Sequence, residues 1–258
     1  MQSYSCMIAR SGFSLVELSI VLVILGLLTG GILSGQALIR AAEIRSVSAQ
    51  TDRYIASLHS FRDKYFALPG DMANATAFWG AADPDPTTCG ETVGTGTQTC
   101  NGNGNGTLNT GPERFRFWQH LSNAGLIEGT YTGVHGPNGA AHAVISTNVP
   151  PARAGQAGFA VSYTGSFTGS STVYDGDYGH TFVIGRPTSN AGTNTPFLKP
   201  EEMWNLDIKL DDGRPAHGRA RPYKASYHPN CATDDTPNAD YALSETGLNC
   251  IIIVMTGV

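Results

Sequence analysis

Phe13-Ser14-Leu15-Val16-Glu17-Leu18-Ser19-Ile20-Val21-Leu22-Val23-Ile24-Leu25-Gly26 opens a run, residues 13–39, in which the only charged side chain is Glu17. A helix rising about 1.5 Å per residue over such a run crosses a hydrocarbon core about 30 Å thick. No second run of this kind follows. A carboxylate inside it costs about 2.5–3.5 kcal/mol at the helix centre and less near the end, so Glu17 needs a partner or must reach the headgroups. Flanking charge orients the span poorly, since Arg10 on one side faces Arg40 and Arg45 on the other.

Two readings of this N-terminus compete. An ordinary cleavable secretory signal would use Arg10 as its basic region and the small residues around 34–37 as its cut site. Glu17 argues against it, because a signal gains nothing from a costly carboxylate. Working outward, Arg10-Ser11-Gly12 precedes Phe13-Ser14-Leu15-Val16-Glu17-Leu18. This stretch resembles the N-terminal signature of type IV prepilins and type II secretion pseudopilins. The resemblance implies that prepilin peptidase cuts after Gly12 on the cytoplasmic face and methylates the new amino terminus on Phe13. It also implies that Glu17 pairs with the N-terminal amine of a neighbouring subunit during assembly. Elementary electrostatics agrees: a carboxylate and an amine, each unpaired in lipid, favour a subunit that offers the complement.

Gly26, Gly30, Gly31 and Gly35 repeat Gly-x-x-x-Gly spacing, which lets helices approach closely in a membrane. They also lower helix propensity by about 1 kcal/mol each in water, where the family often has a helix-breaking proline. Beyond Arg40 the pattern turns amphipathic, with Val47, Tyr54, Leu58, Phe61 and Tyr65 at three-, four- and seven-residue spacing. One continuous helix over 13–66 is expected, its second half packing on a head, with a coiled-coil partner as rival. Pro69-Gly70 ends it. The segment 61–71 with Ala77-Phe78-Trp79-Gly80 is similar, more loosely, to prepilin-like proteins with large heads. Trp79 is expected to anchor the core beneath the helix end rather than stack on a ligand.

Only 14% of the 258 residues are charged, the net charge is −5, and hydrophobic residues reach 41%. The chain is too apolar for disorder and has no basic patch for nucleic acid. With 31 glycines and many Thr, Asn and Ser, the region after the helix reads as β-rich and loop-heavy. Cys6 precedes the apolar run, whereas Cys89, Cys100, Cys231 and Cys250 follow it. Four cysteines on one side suit disulfides in an oxidising periplasm. Closeness in sequence favours Cys89 with Cys100 and Cys231 with Cys250 among three connectivities. Zinc is the weaker reading, because there is no Cys-x-x-Cys pair.

Further helices are expected over 113–126 and from Lys199 to Leu210, the latter with Pro200 in its first turn and Glu201-Glu202 facing the dipole. Asp211-Asp212-Gly213 should close it as a turn. Strands are expected at 142–146, 158–163, 180–185 and 250–255. No Gly-x-Ser-x-Gly, His-Glu-x-x-His or phosphate loop is present, so catalysis has no sequence support.

Calcium is the sharper question. Asn101, Asn103 and Asn105 with Gly106 copy the alternating ligands and turn glycine of a calcium loop, but the closing carboxylate, Glu113, falls one residue late. A plain Asn-Gly turn array competes and is favoured. The resemblance adds weight to calcium, because secretion pseudopilins often hold one in their head loops. Asp207, Asp211 and Asp212 form a second acidic group, with a helix-end turn as its bland explanation.

The expectation is therefore an α+β, pilin-like fold: a leader at 1–12, a transmembrane and assembly half-helix at 13–39, an amphipathic half at 40–68, and a globular head with a β-sheet and long loops at 69–258. Its activity is polymerisation, as a structural subunit of a type IV pilus or secretion pseudopilus. Expected partners are copies of itself or other pilins, prepilin peptidase, an inner-membrane assembly platform and membrane lipid. Expected location is the bacterial inner membrane with the head in the periplasm, then the filament. The alternative is an exported soluble binding or enzymatic domain behind an ordinary signal peptide.

Overall fold

The computed structural model describes residues 14–85, 87, 89–109 and 111–258. The expected leader, with Gly12, and Phe13 lie outside the described residues. Helix α1 runs Leu15–Tyr65 without a break. The chain divides into two compact units, Met1–Ala42 and Glu43–Val258. In the first, none of the side chains from Leu15 to Ile39 is buried, and the best 18-residue window has a mean hydropathy of 2.4.

In the second unit α1 buries Ile44, Val47, Thr51, Tyr54, Leu58 and Phe61, a stripe that alternates three- and four-residue steps. That spacing keeps one helix face on the core. Tyr54 is its centre: its ring meets Trp118 edge-on at 5.2 Å and Phe159 at 4.9 Å. The helix ends at Tyr65 because Phe66 takes a left-handed conformation (φ 52°). Its ring is 93% exposed. Pro69-Gly70 then turns the chain, and Gly70 (φ 86°) passes so close to the helix over Gly111–Asn123 that a Cβ would run into the Glu113 carbonyl.

After a four-residue turn of helix, α2 (Thr76–Trp79), helix α3 spans Gly111–Asn123. The expected 113–126 is shifted three residues too late at its end. Ala124 and Gly125 (φ 73°) stop the helix, and the Leu126 N–H returns to the Leu121 carbonyl at 3.0 Å. This is the left-handed glycine termination that the sequence Ala124-Gly125-Leu126 encodes. Phe115, Phe117, Trp118 and Leu121 are buried, while Leu126 is half-buried.

The main sheet is antiparallel. Strands β1 (Gly158–Tyr163), β4 (His180–Thr188), β7 (Ile252–Met255) and β6 (Ala220–Arg221) lie in that order, and β5 (Ala191–Thr195) pairs with the far end of β4. A separate hairpin joins β2 (Ser166–Phe167) to β3 (Gly176–Asp177). Helix α4 occupies Pro200–Leu210. Its first turn is closed by Glu202, whose carboxylate accepts the Lys199 N–H at 2.9 Å.

Alternation along β4 and β7 sorts the core. Phe182, Ile184, Ile252 and Val254 face α1 and α3, whereas Val183, Ile251 and Ile253 face a smaller cluster with Val173 and Tyr178. Both faces are covered, which is why the last strand reads as an unbroken apolar run. The expected strand at 142–146 does not form. Ser146 is left-handed (φ 63°), and the Asn148 side chain folds the segment back by accepting the Val144 N–H and donating to the His142 and Val134 carbonyls. Its apolar residues fill the core from a turn.

Disulfides join Cys89 to Cys100 and Cys231 to Cys250, with Cα–Cα separations of 6.0 and 5.1 Å. The second links the loop after β6 to the residue that leads into β7. The whole is an α+β architecture, a long N-terminal helix packed through its second half on an antiparallel sheet.

Candidate functional site

Ser14 stands just before the first turn of α1 and Glu17 sits within it. The Glu17 carboxylate accepts the Ser14 N–H at 2.8 Å, and the Ser14 hydroxyl accepts the Val16 N–H at 3.3 Å. This is the reciprocal Ser-x-x-Glu arrangement that satisfies otherwise orphaned donors at a helix start. Glu17 is thus held on the helix, its negative charge at the positive end of the dipole. Beyond it Leu18, Val21, Leu22, Leu25 and Leu28 are all more than half exposed or close to it. A Cβ built on Gly26, Gly30, Gly31 or Gly35 would meet nothing within 4 Å. The first unit therefore offers an apolar rod with one carboxylate near its tip and glycine grooves along its length, open to lipid or to other helices.

Residues 7–33 match the family description "Prokaryotic N-terminal methylation motif". The chain carries the prepilin-type signature. This is the cleavage and methylation signature of type IV pilins and pseudopilins, and it marks substrates of prepilin peptidase. The match covers residues 7–33, which within α1 reach from Leu15 to Leu33; the head lies outside it. No curated protein and no solved structure matches the chain. A prepilin-type apolar helix near the N-terminus is consistent with inner-membrane anchoring before assembly, and proteins of this kind are generally not enzymes.

In the head of this prepilin-type chain, the asparagine loop is organised by a residue that sequence reading passes over. Asp71 is buried, and its two carboxylate oxygens accept the N–H groups of Gly104 (2.8 Å), Asn105 (3.1 Å) and Gly106 (2.8 Å). The three asparagine oxygens proposed as cation ligands are also turned to backbone: Asn101 accepts from Thr76, Asn103 from Asn105, and Asn105 from Thr107. Glu113, buried in the first turn of α3, accepts the Asn103 N–H at 3.4 Å. The arrangement is that of a nest of donors wrapped on a carboxylate, with side-chain amides closing successive turns. Only its position after the helix stop Pro69-Gly70 could have pointed to Asp71, since its partners lie more than thirty residues away.

The second acidic group is brought together at the end of α4. Asp207, Asp211 and Asp212 each place an oxygen within 4.8 Å of the others. Asp207 is fully buried, and its Oδ2 accepts the Tyr241 hydroxyl at 2.7 Å. Burial pushes the Asp207 carboxyl up to about 7, Asp212 and Asp211 push the same way, and the Tyr241 hydroxyl and the Gly213 amide pull back. Tyr241 carries no local signal for this role, since 34 residues separate it from its partner.

Proposed function

We propose that this chain is a structural subunit of a type IV pilus or a type II secretion pseudopilus, cleaved after Gly12, methylated on Phe13 and polymerised through its N-terminal helix. The observation that carries the reading is the methylation motif at residues 7–33, placed so that Glu17 falls in the first turn of a membrane-length helix whose apolar side chains are uncovered. An isolated chain gains nothing from that rod in water. Buried among like helices, its apolar surface is removed from water, and its carboxylate meets the amine of a neighbour. The partners that follow are prepilin peptidase, an inner-membrane assembly platform, lipid, and copies of itself or other pilins. The head is held in the periplasm first and on the filament afterwards, where two disulfides suit an oxidising setting.

Mass spectrometry of the mature chain from a host with prepilin peptidase tests this. N-methylated Phe13 as the first residue is expected. A mature chain starting near Gln36 or Leu38 would instead mean an ordinary signal peptide and an exported soluble head.

A further inference from the structure

The chain has four Asn-Gly pairs: Asn101-Gly102, Asn103-Gly104, Asn105-Gly106 and Asn138-Gly139. Asparagine is a labile residue, most so before glycine, where no side chain keeps the next backbone nitrogen from reaching the asparagine Cγ. The head treats the four pairs differently. Gly104 and Gly106, whose nitrogens would attack Asn103 and Asn105, each donate their N–H to the Asp71 carboxylate at 2.8 Å. Gly102, whose nitrogen would attack Asn101, donates to the Met72 carbonyl at 2.9 Å. The Asn103 and Asn105 side-chain oxygens are engaged as well, accepting the N–H groups of Asn105 at 2.9 Å and Thr107 at 2.8 Å. Asn138 has no such restraint. Among the described residues neither its side chain nor the Gly139 N–H has a hydrogen-bond partner. Its turn is held by other groups: the Asn138 N–H donates to His142 Nδ1 at 3.2 Å, and the His142 N–H to the Gly139 carbonyl at 2.9 Å. Exposure does not separate the sites, since Asn103, Asn105 and Asn138 are all exposed.

We propose that Asn138 is a site of spontaneous deamidation in the native head, and that the Asp71 nest guards the asparagines at 101–106 from the same reaction. The Gly139 nitrogen loses its proton to solvent and bonds to Asn138 Cγ. The amide Cγ–N bond breaks, and the side-chain nitrogen takes protons from water and leaves as ammonia. Water then opens the resulting succinimide at either carbonyl, giving aspartate or isoaspartate, so the net change is one water consumed and one ammonia released, with no oxidant or reductant. A nitrogen that donates to a carboxylate resists the first step, because the negative charge it would take on stands beside another. It must also give up that bond before it can turn to Cγ. The product adds a negative charge to the head. Its isoaspartate form also lengthens the backbone between Gly136 and His142, whose N–H to carbonyl bond at 2.8 Å closes this turn. Asn138 is therefore a marker of the age of the head, independent of how the N-terminus is processed.

The full chain in detergent is to be aged at mildly alkaline pH, native and unfolded in guanidinium chloride, and its peptides mapped by mass spectrometry, with isoaspartate counted by enzymatic methylation. Unfolded, all four pairs should convert at similar rates. In the native chain Asn138 should convert first. Native Asn103 and Asn105 should convert at least about tenfold more slowly than in the unfolded chain, the factor that one hydrogen bond to a charged group represents. Asp71→Ala should lift the protection of Asn103 and Asn105 and leave Asn138 as it was. Native Asn103 and Asn105 converting at the unfolded rate, or a native Asn138 protected as strongly as they are, would overturn the proposal, and neither comparison requires the variant to fold. A folded Asp71→Ala chain that still protects both asparagines would overturn the role given to the carboxylate.

Discussion

The Gly70 N–H donates to His120 Nδ1 at 2.9 Å, joining the turn that ends α1 to the last turn of α3. The other ring nitrogen lies 3.0 Å from the Thr99 hydroxyl, whose oxygen is also 2.7 Å from Gln119 Oε1. With the Thr99 hydroxyl donating to Gln119, the ring donates from Nε2 and accepts at Nδ1, which is the neutral imidazole. A second proton on Nδ1 would oppose the Gly70 N–H.

His120 should therefore make the head acid-sensitive. Burial, reinforced by Arg116, lowers its pKa from 6.5 to about 3. The unfolded chain takes up this proton near 6.5 and the native state does not, so stability is complete above that pH. It declines by about 1.4 kcal/mol per unit as pH falls from 6.5 towards 3. Ring shifts of His120 followed by NMR should stay those of the neutral form at pH about 5; a midpoint near the ordinary value of about 6.5 would refute the assignment.

Asp71 should be needed for the order of the 101–106 loop. Asp71→Ala strands three backbone donors, those of Gly104, Asn105 and Gly106, and should cost about 2–3 kcal/mol. Urea unfolding measures the loss, and limited proteolysis should newly cut within the loop. Parent-like stability together with an uncut loop would show that the nest is incidental.

Closing the 19-residue separation between Cys231 and Cys250 stabilises by about 3 kcal/mol. The double serine variant should lose that amount in a denaturant titration, with β7 the first strand to exchange its amides. Peptide mapping without reductant should recover this bridge and the Cys89 to Cys100 bridge in exported protein.

Glu17 serves two roles that substitutions can separate. Glu17→Gln keeps an oxygen that can accept the Ser14 N–H, whereas Glu17→Ala removes both cap and charge. If assembly uses the charge, both variants should be processed and remain in the inner membrane while filaments disappear. Where the subunit is a minor one, the reading is its co-assembly with the major subunit. Filaments at normal yield from Glu17→Gln would leave only the cap as the function of this residue.

Local physics was legible wherever one segment carries its own pattern. The apolar run from Phe13, the heptad-like stripe of α1, Pro200 with Glu202 opening α4, and the alternating strands at 158 and 180 could all be read residue by residue. The segment at 142–146 misled because its apolar residues suit a turn in the core as well as a strand. What decided between them was the Asn148 side chain, whose bond to the Val134 carbonyl spans fourteen residues.

The membrane-length helix, the prepilin-type signature at residues 7–33 and the α+β character of the head are written locally in the chain, because each depends on hydrophobic period or on neighbours a few residues apart. What the polar groups do follows from long-range folding. It turned Asn101, Asn103 and Asn105 to backbone donors and gave Asp71 the amides of residues 104–106. It also set the Tyr241 hydroxyl against the buried Asp207 carboxylate, 34 residues away. A buried polar atom is satisfied by whatever the fold brings within about 3 Å, and chain folding sets that distance across tens of residues, where sequence spacing carries no information.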